Sequence, residues 1–244
     1  MKIATLNTNI TTTTIETDCA KIGFKYTFGL GAIYTDTLAK SKWDLLSNLI
    51  DITLVSGNGN KSLTYKMRLN ALAELSAQDK SNVVIQPAYG IANFATAYFQ
   101  TDISTAGNIN ISPNQLNIEV SSIKPDEFLD IYAISIPTQS GYLQTFEQVA
   151  LKSSAPKQID LSNAISVGVN DSITKIDMLF SDGSSVTFDY DEFKIMQTEL
   201  NEQTLNVNGL AYVFTKNMSV PVVGVSSAKF YASEDTTIYI NRII

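Results

Sequence analysis

Ile22, Phe24, Tyr26 and Phe28 alternate with Gly23, Lys25 and Thr27, the period of two that buries one face of a strand. Related patterns run over residues 108–111, 116–120, 128–136, 165–169, 205–214, 220–225 and 237–240. Asn58-Gly59, Pro113-Asn114, Asp182-Gly183 and Asn208-Gly209 supply residues between them that tolerate positive φ or preset a turn. The pattern predicts an all-β chain of hairpin-connected strands.

Helical signals are few. Over 66–78, Leu69, Leu72 and Ala73 share a helical face, and Ala71, Ala73 and Ala77 raise the propensity. Over 189–202, Phe193, Met196 and Leu200 do the same, with Asp189 or Asp191 as N-cap and Glu192 in the first turn. A third candidate covers 36–50, where Leu38, Leu45, Leu46 and Leu49 surround Trp43.

The first two helices follow the same prelude. Residues 52–65 read as strand, Gly-containing turn and strand before the helix, and residues 176–188 read the same way. Leu54 and Met178 are 124 residues apart, and Leu63 and Val186 are 123 apart, close to half the chain length of 244. Leu116-Asn117-Ile118 and Ile238-Tyr239-Ile240 are 122 apart. A unit this long is a complete domain with its own core rather than a solenoid repeat. Two tandem eight-stranded β-sandwich domains, 1–122 and 123–244, are therefore expected, each with one short helix. The boundary falls in Ser121-Ser122-Ile123-Lys124-Pro125-Asp126, a polar, proline-containing stretch.

Composition narrows the chemistry. The chain lacks histidine, and Cys19 is its one cysteine, so Cys/His zinc sites, Ser-His-Asp triads, Cys-His dyads and intrachain disulfides are excluded. At 44 % hydrophobic and 17 % charged, the chain has apolar mass for a sizeable core and too little charge for disorder. The net charge of −7 gains nothing from counterion release, which argues against direct contact with nucleic acid. Residues 1–122 hold nine basic and nine acidic side chains, whereas 123–244 hold eight and fifteen, so the excess sits in the second half. The start of the chain has no signal-peptide pattern, and the apolar-looking stretch 45–55 is broken by Ser47, Asn48, Asp51 and Thr53. A soluble protein made in a reducing cytoplasm is expected.

Carboxylate pairs are the catalytic device this composition still permits, with Glu119, Glu127, Glu147, Asp189, Asp191 and Glu192 as possible members. None carries a signature, and Asp182-Gly183-Ser184 reads as a turn rather than an aspartic-protease motif. Asp189-Tyr190-Asp191-Glu192, with Asp182 near in sequence, offers oxygens to Ca²⁺ but lacks the EF-hand glycine and distal glutamate; as a helix start it already has a reason to be acidic. Gly57-Asn58-Gly59-Asn60-Lys61-Ser62 lacks the first half of a P-loop and reads as a hairpin turn. Tyr89, Phe94, Tyr98 and Phe99 are either a carbohydrate platform or core. Cys19 reads as a small buried residue or an incidental surface thiol, and Trp43 as a packing anchor. The Asn/Thr-rich stretch 7–14 is an assembly arm or an edge strand, and the same choice holds for 1–17 as a whole. No catalytic, cofactor or metal residue is assigned.

Two barrels of similar length, each with the strand, turn, strand and short helix of 52–78 and 176–202, resemble the double jelly-roll major capsid proteins of tailless icosahedral bacteriophages with an internal membrane. The resemblance spans nearly the whole chain and rests on architecture. It implies a non-enzymatic capsid subunit that forms homotrimers, three chains supplying six upright barrels in a pseudo-hexameric capsomer. It also implies a place in the virion, with neighbouring capsomers, penton or membrane proteins and the internal membrane as partners. The alternative is a tandem β-sandwich binding module of the lectin, spike or tail type.

Overall fold

The computed structural model describes residues 1–29, 47–76, 84–87, 94–104, 107–111, 113–136, 141–170, 172–189, 191–192, 195, 204–207, 210–213 and 217–244. Trp43, Tyr89 and Phe193 lie outside them, as do the first eleven residues of the helix expected over 36–50; its last two, Leu49 and Ile50, open a strand. The chain divides into two units, Met1–Gln144 with Gln203–Phe214, and Thr145–Glu202 with Thr215–Ile244.

The first unit contains β1 (Lys2–Leu6), β2 (Thr12–Ile15), β3 (Lys21–Gly29), β4 (Leu49–Ser56), β5 (Gly59–Arg68), helix α1 (Leu69–Ser76), β6 (Val84–Pro87), β7 (Phe94–Asp102), β8 (Gln115–Val120) and β9 (Phe128–Ile134). Its sheets have the orders β1-β9-β3-β7-β6 and β2-β8-β4-β5. With β6 set aside as an added edge, the remaining eight strands counted along the chain run 1-8-3-6 in one sheet and 2-7-4-5 in the other. That is the connectivity of a jelly roll, in which each strand and its sequence neighbour lie mostly in opposite sheets.

The second jelly roll uses β10 (Gln144–Leu151), β11 (Lys157–Asp160), β12 (Ala164–Asn170), β13 (Ile173–Phe180), β14 (Ser185–Asp189), β17 (Asn217–Pro221), β18 (Val225–Ala232) and β19 (Thr236–Ile243). The orders β10-β19-β12-β17 and β11-β18-β13-β14 repeat 1-8-3-6 and 2-7-4-5. Between its fifth and sixth strands lies a separate hairpin, β15 (Thr204–Val207) against β16 (Leu210–Val213).

Both cores follow the alternation read from the sequence. On β3, Ile22, Phe24, Tyr26 and Phe28 are all buried, and Phe24 stacks on its cross-strand partner Phe99 with ring centroids 4.8 Å apart. Leu69, Ala71, Leu72 and Leu75 of α1 are buried. In the second unit Val167 and Val169 of β12, Ile176 and Met178 of β13, Phe230 of β18, and Ile238 and Ile240 of β19 form one cluster. The expected helix at 66–78 starts later, because Lys66 is still in β5, with φ +45 and its N–H held by Asp51 Oδ1 at 2.7 Å. The strand expected over 108–111 reduces to a single bridge, Cys19 to Ile109, and the one over 220–225 is broken by a turn at 223–224, where Gly224 has φ +85.

The expected division at 122/123 falls inside the first unit. Strands β8 and β9 flank it, and both pair within that unit's sheets: β8 with β2 and β4, β9 with β1 and β3. The polar stretch 121–126 is the turn between the seventh and eighth strands, so the passage to the second jelly roll follows Ile134. Likewise Leu116–Ile118 and Ile238–Ile240 are not equivalent, since β8 is a seventh strand and β19 an eighth. The charge balance shifts with the boundary. Lys124, Asp126, Glu127 and Asp130 move into the first barrel, which becomes net −2 and leaves the second at −5.

Candidate functional site

The acids singled out from sequence are dispersed. Glu119 is exposed on the face of β8 opposite the core, across from Asp51 of β4 and Thr12 of β2. Glu147 is exposed and accepts from Arg242 Nε at 2.9 Å, while Arg242 Nη1 reaches Ser162 O at 2.9 Å, closing the edge of the second barrel. Asp189 Oδ1 accepts from the Glu192 N–H at 2.8 Å and Glu192 Oε2 from the Asp189 N–H at 3.0 Å. This reciprocal pair is a capping box, and Asp191, Glu192 and Ile195 are helical after it. Asp189 is thus the N-cap, with its Oδ1 committed to backbone. Asp182 accepts the Ser184 N–H at 2.9 Å and its hydroxyl at 2.6 Å, holding the turn after β13. Among the described residues, no group of three His, Cys, Asp or Glu side chains is placed to hold a metal.

Glu127 is the exception in being buried. It lies in the turn before β9, accepts a hydrogen bond from the Tyr26 hydroxyl, and takes the Lys124 N–H at 3.3 Å. Asn48 Nδ2 donates to Ser122 O of the same turn at 2.8 Å. Burial, followed by the Glu127 contact, pushes the Tyr26 hydroxyl far above the usual tyrosine range. The cluster fixes a turn whose Ser122 and Asp126 both have positive φ, at 63 and 65. Its chemistry is structural, a polar knot closing one end of the barrel.

Of the four candidate aromatics, Tyr89 lies outside the described residues, and Phe94 and Tyr98 share a face of β7 that Phe99 does not. Phe99 is in the core against Phe24, whereas Tyr98 pairs with Lys25 on the opposite face of the same strand. Cys19 is fully buried, and burial followed by the Asp18 charge pushes its thiol up to about 12. Residues 1–17 contain β1 and β2, both paired within the first unit, and the Met1 amino group donates to Ala133 O at 2.6 Å. No helix of the described residues is long and apolar enough to cross a membrane.

A network that no motif announced lies on the outward face of the second barrel. Asp177 Oδ1 accepts from Lys175 Nζ at 2.9 Å and Thr187 Oγ1 at 2.8 Å, and Asp177 Oδ2 accepts from Tyr231 Oη at 2.8 Å. Lys175 Nζ also sits 4.7 Å from the Tyr231 ring centroid. The Lys175 bond, then that of Thr187, lowers the Asp177 carboxyl to about 2. Its one sequence signal is the i, i+2 spacing of Lys175 and Asp177 on a strand.

No family model matches the chain, and no curated protein matches its sequence. In structure, the whole of this chain aligns with 95 % of the major capsid protein P2 from bacteriophage PM2, with a TM-score of 0.51 and 10 % identity. The likeness is one of fold. Both barrels of the present chain fall within the aligned length, and the strand orders of its sheets are those of two jelly rolls in tandem.

Proposed function

We propose that the chain is the structural subunit of an icosahedral viral capsid, a homotrimer whose six barrels form a pseudo-hexameric capsomer. The observation that carries this reading is the pair of complete jelly rolls in tandem, matched along its full length by a phage major capsid protein. Several of the candidate acids take local structural partners: Asp189 and Glu192 cap a helix start, Glu147 pairs with Arg242 and Glu127 holds a buried turn. Substitutions in such a protein act through folding and assembly. Its place is the virion, and its partners are further copies of itself, other virion proteins and an internal membrane, with no direct hold on nucleic acid.

Light scattering and electron microscopy of the purified chain test the reading. A stable trimer, or hexagonal particles with three-fold symmetry, is the expected result. A monomer at micromolar concentration that never assembles refutes it, as does glycan binding at one end of a sandwich by a monomeric protein, which is the behaviour of a binding module.

A further inference from the structure

The turns between the fourth and fifth strands of the two barrels differ by one chemical group. In the first barrel β4 turns into β5 through Gly57-Asn58, flanked by the paired Ser56 and Gly59. In the second, β13 turns toward β14 through Ser181-Asp182-Gly183-Ser184. Asn58 and Asp182 are 124 residues apart, the spacing of Leu54 and Met178 on the strands before them. An asparagine amide in one barrel therefore stands where the other has a carboxyl. Each is followed by a glycine with positive φ, Gly59 at +120 and Gly183 at +87, and beyond chain neighbours nothing lies within 4 Å of where a Cβ would sit on either.

The two side chains are held differently. Asp182 Oδ1 accepts the Ser184 hydroxyl at 2.6 Å and the Ser184 N–H at 2.9 Å, which holds its carboxyl below the usual range. The Asn58 side chain is exposed and makes no hydrogen bond among the described residues. Other asparagines are pinned. Asn170 accepts the Ser172 N–H and donates to Thr236 Oγ1 at 2.8 Å, and Asn108 bonds both the N–H and the carbonyl of Ile136. An asparagine amide is a thermolabile group, and its loss requires the next backbone nitrogen to reach the side-chain carbonyl carbon. A glycine at that place has no Cβ to obstruct the approach and the widest choice of backbone angles, and Gly57 gives the same freedom on the other side of Asn58.

We infer that Asn58 is a site of spontaneous deamidation through Gly59. The Gly59 amide nitrogen, its proton taken by hydroxide, attacks Cγ of Asn58; the new C–N bond closes a five-membered succinimide, and the side-chain nitrogen leaves as ammonia. Water then opens the ring. Addition at Cγ restores the ordinary chain with an aspartate, whereas addition at the backbone carbonyl leaves isoaspartate, with one more methylene in the main chain. Nothing is oxidised or reduced, and water is the co-reactant. The aspartate product has the turn chemistry that Asp182 already displays, while isoaspartate lengthens a two-residue loop between paired strands. Either adds a negative charge three residues from Lys61. Asp182 resists the corresponding closure, because an ionised carboxylate held by Ser184 is a poor electrophile. The chemistry needs no assembled state, so a failure of the capsid reading leaves it standing.

Ageing the purified full chain in heavy-oxygen water at mildly alkaline pH, followed by ion exchange and peptide mapping, tests the assignment. A species one charge more acidic should accumulate, faster as hydroxide rises. Its labelled carboxyl should map to residue 58 as a mixture of aspartate and isoaspartate, the second of which arises by way of the ring. Asn108, Asn170 and Asp182 in the same sample should stay unchanged. Asn58→Gln keeps Gly59 but would need a six-membered ring, and should abolish the species; Asn58→Asp should fold and co-elute with the aspartate product. A folded chain that keeps its Asn58 amide while the urea-unfolded chain loses it overturns the proposal, because the hairpin then protects the bond. Loss confined to other asparagines, such as Asn208 before Gly209 outside the described residues, overturns it equally.

Discussion

Tyr26 donates its hydroxyl hydrogen to the buried carboxyl group of Glu127, 101 residues later in the chain. The bond ties the third strand of the first jelly roll to the turn that leads into its eighth. Tyr26→Phe removes that donor and leaves the buried carboxyl of Glu127 short of a partner, a loss of about 1–3 kcal/mol. Urea denaturation should show the lower midpoint, with an unchanged slope if the unfolded state is unaffected.

The same tyrosine makes stability depend on alkaline pH. Its folded-state titration lies above the ordinary value of 10.0, so the neutral form favours the fold. That contribution is complete below about pH 10 and declines as pH rises through the alkaline range. The fall in melting temperature above pH 10 should be shallower in Tyr26→Phe than in the wild type; parallel curves would contradict the assignment.

At the acid end the responsible group is Asp177. Its carboxyl titrates at about 2 against an ordinary 3.8, so its stabilising effect is present above about pH 4 and is lost as pH falls through about 2. Asp177→Asn should flatten the acid limb of the melting curve over that window. High salt should flatten it in the wild type too, since the partner Lys175 is partly exposed.

Phe99 and Glu119 occupy opposite extremes of burial, so their alanine substitutions calibrate the fold. Phe99→Ala empties the space against Phe24 and should cost about 3–5 kcal/mol. Glu119→Ala changes an exposed side chain and should stay within roughly ±0.5 kcal/mol. A large loss at Glu119 with intact folding would point to a role for that carboxyl beyond the surface.

Asp189→Ala removes the N-cap of the helix start after β14 and should lower its stability by about 1 kcal/mol. Hydrogen exchange read at the amides of Asp191, Glu192 and Ile195 should quicken accordingly, with little change in the strands.

What the sequence reveals, and what it hides, divides by distance along the chain. The burial of Ile22, Phe24, Tyr26 and Phe28 is legible because alternation within seven residues is enough to set the face of a strand. The helix start at Asp189 is legible for a similar reason: the capping box needs an acid and, three residues on, a glutamate. The boundary between the barrels is not. Residues 121–126 have the composition of a linker, and what makes them a turn inside a domain is the set of bonds from Tyr26 and Asn48, about 70 to 100 residues upstream. The repeat is legible at the hairpins, where Leu54 and Met178 do occupy fourth strands, and is misread at the closing strands, since loops of unequal length shift the offset from strand to strand. The Asp177 network escapes notice because three of its four members come from different strands.

Because β1 hydrogen-bonds to β9, residues 2–6 have no partner during translation until residue 134 has left the ribosome tunnel. Until then the inner strands β3 and β7 can pair, but the slot that β9 fills between β1 and β3 stays open. The second barrel repeats the situation with β19, which lies between β10 and β12 and is made last among its strands. Each nascent barrel therefore spends most of its synthesis with a raw sheet edge, the state most prone to pairing with the wrong chain. High-level expression should accordingly depend on chaperones that shield such edges, and a ribosome stalled just before residue 128 should yield a chain that aggregates, whereas one released after residue 136 closes its first barrel.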